Sequence, residues 1–476
     1  MLRTSWSAHG ARRLGICLTL LAAGVAGPSS AMAANKGYIQ QPFEKDVVNR
    51  LRGDASKILS GQVPFNAASQ NTLKKYYVNV FGEMTQVSAI GRFGVARQRF
   101  LFQLQSAKSP AALNFVNAFS LNATTSIARE RKEGKNYHPA ARINAVLIMA
   151  DLDDKLSSGV GANATPPVPM AKALLKLVQL ASDPKSPDGV KVAALLGLKR
   201  HARYGISGPQ QASVADIVLA LMNQKESPGN RSAEGHQWMR RLAIGIAGSL
   251  GVLGPENKTY QALAHVVADD TAAQSIRCAA AKALGQLDYT QVTDLDVTPA
   301  VSDLGTLAIV VLKHELDVAK RLADRANQQS AARGRSGLFG DEGLLDTAGA
   351  EEDNPAGVFP RRELAARIES VRTGLRALAA RIPAENKKLV DVLVVPLDKL
   401  FGVLENRRSD KDQLVGAART AMDQLAENLR TQQPESAEEG ELLEGTDRAA
   451  GPPDEEARPD ETGFYDRAAC HYQATV

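Results

Sequence analysis

Two histidines four residues apart on a helix, with a glutamate after the first, would direct both imidazoles at one metal ion. His314-Glu315 begins that pattern, but Val318 stands where the second histidine is needed. His138, His201, His236, His265 and His471 are dispersed along the chain and read as surface or capping residues. Asp151, Asp153 and Asp154 suggest a cation loop, yet Lys155 follows them and neither a glycine nor a distal glutamate completes a calcium pattern. Gly245, Gly248 and Gly251 recur every three residues, which is not the spacing of a dinucleotide fingerprint and suits close helix packing instead. Cys17, Cys278 and Cys470 have no paired spacing, so they define neither a zinc cage nor a disulfide framework. With no phosphate-binding loop and no nucleophile elbow, the residues point to a binding protein rather than an enzyme. No cofactor or metal is expected.

The elements that would carry these residues are helical. Of 476 residues, 44% are hydrophobic and only 5% aromatic. Ala, Leu, Val and Ile therefore supply most of the apolar area, which favours packed helices over β-sandwiches. The net charge of +5 is unevenly distributed, since residues 431–466 hold 12 acidic and 2 basic residues. A basic body is followed by an acidic tail.

Arg3, Arg12 and Arg13 precede an apolar run from Leu14 to Gly27, and Ala31-Met32-Ala33 follows. That order predicts a secretory signal peptide over residues 1–33, cleaved after Ala33. Leu14-Gly15-Ile16-Cys17 only superficially resembles a lipobox, because Ile16 is too large and the apolar run follows the cysteine. Export to the periplasm or cell envelope is expected, with the extracellular space as the further option. No integral membrane span is expected in the mature chain.

Residues 34–137 form an N-terminal helical region, with segments near 43–60, 72–81, 84–106 and 110–128. Arg129, Arg131, Lys132 and Lys135 mark a solvated connector. From His138 a motif of a basic residue, small residues and leucine recurs. Its clearest copy is Ile276-Arg277-Cys278-Ala279-Ala280-Ala281-Lys282-Ala283-Leu284-Gly285-Gln286-Leu287-Asp288, and another runs from Ala141 to Asp153. Weaker copies begin at Val190 and Met239, so Arg142, Lys191, Arg240 and Arg277 are the markers. Each copy after the first follows an amphipathic segment, at 168–181, 210–223 and 258–268. Repeated helix pairs that bury one another by stacking are expected.

Arg277, Ala280, Ala281, Leu284, Gly285 and Leu287 resemble the second helix of a HEAT repeat, including its phycobilisome-lyase-like subgroup, over about residues 138–290. The resemblance implies an irregular α-solenoid; Lys191 in place of Arg and Lys199 in place of Gly depart from the pattern. The fold class expected is all-α. Helical repeats span 138–326, a flexible linker 327–358, C-terminal helices 359–432 forming a bundle or cap, and a disordered acidic tail 433–476. Pro396 is a candidate kink in the helix predicted over 386–404.

Helical geometry in the best copy places Ile276, Ala280, Ala283, Leu284 and Leu287 inward, with Gln274, Cys278 and Lys282 opposite. The places of Cys278 and Lys282 are taken in the first two copies by Ile143, Leu147, Val192 and Leu196. This apolar strip requires a cover, either from residues 84–128 or the C-terminal helices, or from a partner that presents an amphipathic helix or apolar peptide. The functional expectation is a non-catalytic scaffold or adaptor for a protein or peptide partner. The alternative is a binder of acidic envelope polymer or extracellular nucleic acid through Arg200, Arg203, Arg240, Arg241, Arg277 and Lys282. A lyase-like enzyme is less favoured, because fold resemblance alone does not establish chemistry.

Overall fold

The computed structural model describes residues 37–336 and 361–432, apart from 132–134, 160–162, 207, 230, 291, 293, 384 and 385. The expected signal peptide, the acidic tail and linker residues 337–358 lie outside the described residues. The described chain is predominantly helical, with α1 (Lys45–Leu59), α2 (Ala67–Glu83), α3 (Phe93–Gln105) and α4 (Pro110–Ala128) in its N-terminal region. α2 begins five residues before the predicted segment. The cause is a cap at Asn66, whose side chain accepts from the Ala68 and Ser69 amides while the Ser69 hydroxyl accepts from the Asn66 amide. Edge-on contacts between Tyr77 and Phe100, and between Phe81 and Phe100, join α2 to α3.

Next come α5 (Pro139–Ala150), α6 (Ala171–Ser182), α7 (Asp188–Tyr204), α8 (Pro209–Asn223), α9 (Ala233–Leu250), α10 (Lys258–Ala268) and α11 (Gln274–Leu284). A small antiparallel pair, β1 (Asp153–Lys155) and β2 (Val168–Pro169), interrupts the helices. The predicted helix at 168 therefore starts at Ala171, where the Asp154 carboxylate accepts the first amide of α6.

The helices associate in successive pairs, α4 with α5, α6 with α7, α8 with α9 and α10 with α11. Across the pairs, α5, α7, α9 and α11 pack in sequence, as do α6, α8 and α10. Small residues set these contacts. A Cβ on Gly248 of α9 would lie 3.0 Å from the Ala283 Cα of α11, and one on Gly197 of α7 would lie 2.8 Å from the Ala150 Cβ of α5.

The marker arginines fix the ends of the pairs. Arg142 donates from Nε to the Ala128 carbonyl at 3.0 Å, Arg240 from Nη2 to that of Met222 at 3.2 Å, and Arg277 from Nε to that of Val267 at 2.9 Å. Each acceptor lies in the last two residues of the preceding helix, where carbonyls lack an intrahelical partner. All three arginines are buried. Lys191 makes no such bond among the described residues; α6 instead uses its own Ser182 hydroxyl, which donates to the Val178 carbonyl.

α12 (Thr298–Ser336), α13 (Arg361–Ala379), α14 (Lys387–Glu405) and α15 (Lys411–Gln432) complete the described chain. α12 and α13 continue the two rows by packing on α10 and α11, and also pack on α15 and α14. α12 runs ten residues past 326, into the predicted linker. Gln328, Gln329, Ala331, Ala332 and Arg333 there are good helix formers, which corrects the linker boundary. α14 is continuous through Pro396. The proline cannot donate to the Val392 carbonyl four residues back, and the Asn428 side-chain amide of α15 donates to it instead at 2.7 Å.

Ile276, Ala280, Ala283, Leu284 and Leu287 are buried as their spacing implies. The opposite side departs from expectation. Lys282 is exposed, but Cys278 is buried because α13 packs on α11, and Gln274 accepts from Arg367 of α13 at 2.8 Å. Arg367 also pairs with the buried Glu315 of α12, so that one guanidinium ties three helices together. Leu284, with no exposed surface, is expected to be costly to truncate. Leu284→Ala should lower unfolding stability by about 2–5 kcal/mol, read as a lower denaturant midpoint at constant slope; an unchanged midpoint would contradict this packing.

Candidate interaction surface

Aligning α5, α7, α9 and α11 through Arg142, Lys191, Arg240 and Arg277 brings corresponding positions into rows. One row holds Ile143, Val192, Arg241 and Cys278, and the row one turn later holds Leu147, Leu196, Gly245 and Lys282. Ile143, Leu147, Val192 and Leu196 are half-buried, each with its inner side on the core. Their lateral contacts come from neighbouring helices; a Cβ on Gly189 of α7 would come within 2.6 Å of the Ile143 Cδ1. The strip is thus neither covered over by the described helices nor fully open.

The six cations proposed for polyanion binding divide in two. Arg240 and Arg277 are buried and engaged with helix ends. Arg200 is held by Asp153 at 2.6 Å and the Ala150 carbonyl at 3.3 Å. Engaged in these ways, the three serve the fold. Arg203 and Lys282 are exposed and Arg241 is half-buried, so these three face solvent to differing degrees.

Lys199, which the residue pattern marked only as a departure from the motif, joins them. Val192, Leu196, Lys199 and Arg203 are spaced four, three and four residues apart, a single stripe along α7. That spacing was the signal by which Lys199 could have been found. Its Nζ and Cε lie 3.4 Å from where a Cβ on Gly245 would sit, so its chain crosses onto α9. Burial, then the charges of Lys282, Arg241 and Arg203, holds its pKa below the ordinary lysine value.

The other chemical candidates are structural. Asp151 and Asp153 surround Arg200, and Asp154 caps α6. No group of three metal-ligating side chains occurs among the described residues. Burial pushes the Cys278 thiol up to about 12, which removes thiolate character. His138 caps α5 through Nδ1, as expected of a capping histidine, whereas His201 and His236 are buried. Neither lies at the surface, one of the two places the sequence offers for them; His236 is enclosed by the Gln224 carbonyl and the Arg231 guanidinium, at 2.7 and 3.1 Å. The expected connector Arg129 and Arg131 lines, with Thr125, Ser126 and Lys176, a cleft of about 460 Å³ between α4 and α6. Arg131 is held there by the Tyr137 hydroxyl and ring.

No family model matches the chain, and no curated protein matches its sequence.

The buried His201 gives a readable pH dependence. Burial, with a smaller contribution from Arg200, lowers its pKa from 6.5 to about 4. Between those values the unfolded chain binds a proton that the folded chain does not, so stability falls as pH falls through that window. The expected contribution is about 1.4 kcal/mol per pH unit. His201→Gln should flatten this slope in urea unfolding measured between pH 7 and 4.5; equal slopes would show that His201 titrates normally.

Proposed function

We propose that residues 138–326 form an irregular HEAT-like α-solenoid, similar to the phycobilisome-lyase-like subgroup, that serves as a non-catalytic scaffold or adaptor for a protein or peptide partner. The two rows of sequentially packed helices support the solenoid reading. The basic, apolar and small-residue order of residues 1–33 supports export to the periplasm or cell envelope. No described helix is long and apolar enough to cross a membrane.

The observation that carries the binding role is the apolar quartet Ile143, Leu147, Val192 and Leu196, only partly buried and arrayed across two adjacent helices. An apolar patch of this kind, bordered by cations, suits a partner segment that buries its own apolar side chains. The second reading, an acidic envelope polymer or extracellular nucleic acid, is favoured by the solvent access of Arg203 and Lys282.

The double substitution Leu147→Asp/Leu196→Asp tests the first reading. It is expected to weaken partner capture from envelope extract at least tenfold, about 1.4 kcal/mol, with the helical circular dichroism unchanged. Undiminished capture by a folded variant would refute the apolar contact.

A further inference from the structure

Cations reach the 460 Å³ cleft from three chain segments: Arg129 at the end of α4, Arg131 in the connector and Lys176 in the second turn of α6. None of the three forms an ion pair among the described residues. Lys176 reaches only the Gln179 side-chain oxygen, at 3.3 Å, and Arg129 donates no side-chain hydrogen bond there. Arg131 is pinned, because its Nη2 donates to the Tyr137 hydroxyl at 3.2 Å and its guanidinium lies 5.1 Å from that ring's centroid. Tyr137 is itself buried and held by Gln41 at 3.0 Å. One donor of the guanidinium is used in this way, which leaves the others for a ligand.

Between the cations the wall supplies uncharged donors. The Thr125 and Ser126 hydroxyls and the Asn122 amide line it, and none of these side chains has a hydrogen bond among the described residues. The Thr125 Oγ1 is closed off from solvent without a partner, a costly state for a hydroxyl. The negative end of α4 does not oppose an anion here, because its carbonyls are taken. That of Thr125 accepts the Arg129 amide at 3.1 Å, and that of Ala128 accepts from Arg142 at 3.0 Å. The nearest carboxylates, Glu130 and Asp183, line an adjoining compartment of about 170 Å³, and both act on the buried Arg142.

We infer that the cleft binds the phosphate monoester group of a small polar molecule, with Arg129, Arg131 and Lys176 on the phosphate oxygens and Asn122 and Ser126 on the ligand body. Three cations from three directions match a dianion with three outer oxygens better than the two oxygens of a carboxylate. The adjoining compartment selects a compact anion over a polymer, since a chain of phosphates continuing past the cations would meet Glu130 and Asp183. The volume falls within the ~300–1,000 Å³ of small-molecule sites. A wall that is polar apart from Leu121 suits a hydrophilic body. The site lies on α4 and α6, not on the helices that carry the apolar quartet, so it stands independently of partner binding.

The test is calorimetric titration of the full-length chain at low salt with glycerol 3-phosphate, against glycerol, inorganic sulfate, and phosphatidylcholine vesicles with and without phosphatidic acid. Glycerol 3-phosphate should bind saturably and at least tenfold more tightly than sulfate, with no binding of glycerol. Its affinity should fall severalfold from about pH 7.5 to about pH 5, as the phosphate takes up its second proton near pH ~6. Arg129→Gln/Lys176→Gln should weaken it at least tenfold with circular dichroism unchanged. Lys313→Gln/Lys320→Gln, the same loss of charge on exposed positions of α12, should leave it within twofold. Unchanged affinity in the folded cleft variant, equal weakening in the α12 variant, or sulfate binding as tightly as the monoester overturns the inference. Vesicle binding that needs phosphatidic acid and is lost in Arg129→Gln/Lys176→Gln assigns the same group to a lipid headgroup. Glycerol 3-phosphate binding without vesicle binding assigns it to a free solute, and binding of neither overturns the site.

Discussion

The last carbonyls of an α-helix have no partner within the helix, and a helix end that is buried against its neighbours cannot leave them to water. In this protein, arginines from the following helix reach back to those carbonyls. Arg142 and Arg277 do so from the fourth residue of α5 and of α11, and Arg240 from about two turns into α9. The guanidinium suits the position because its charge opposes the negative end of the helix dipole. It also has enough donors to remain hydrogen-bonded when buried. The bond fixes where each second helix begins relative to the end of the first, and hence the register of the rows. Arg361 makes the same kind of bond in the opposite order, donating from the start of α13 to the Leu404 carbonyl near the end of the following helix α14 at 2.6 Å.

Once the helix ends are fixed, the rest of the packing follows from side-chain size. Ala and Gly between successive second helices allow close approach, and leucines fill the space between the rows. The same registration determines the outer surface. It aligns Ile143 with Val192 and Arg241, and Leu147 with Leu196 and Gly245. On α5, α9 and α11 that outer face is set by the same arginines that order the core, while α7, whose marker is Lys191, is placed by its packing between α5 and α9.

Much of this was legible in the sequence because helix periodicity and the recurrent basic marker are local signals. α4 and α10 span the segments that their residues imply. What escaped depended on contacts between distant residues. Cys278 has the spacing of an outward residue, and only the arrival of α13 buries it. Pro396 reads as a kink, but Asn428 on another helix takes the place of the missing donor. Arg240 and Arg277 look like surface cations on composition alone, since nothing in their neighbours announces a carbonyl ten or eighteen residues earlier. Lys199 escaped for a related reason: the contact that lays its chain on α9 is at Gly245, 46 residues away.

The role assigned to the buried arginines is tested most directly at Arg277, by comparing equilibrium urea unfolding of the native chain and Arg277→Met. Methionine keeps much of the apolar stem and removes the donor, leaving the Val267 carbonyl without its partner. The expected result is a loss of about 1–3 kcal/mol with an unchanged denaturant slope. Equal or greater stability in Arg277→Met would contradict the claim that these guanidinium–carbonyl bonds hold the helix pairs in register.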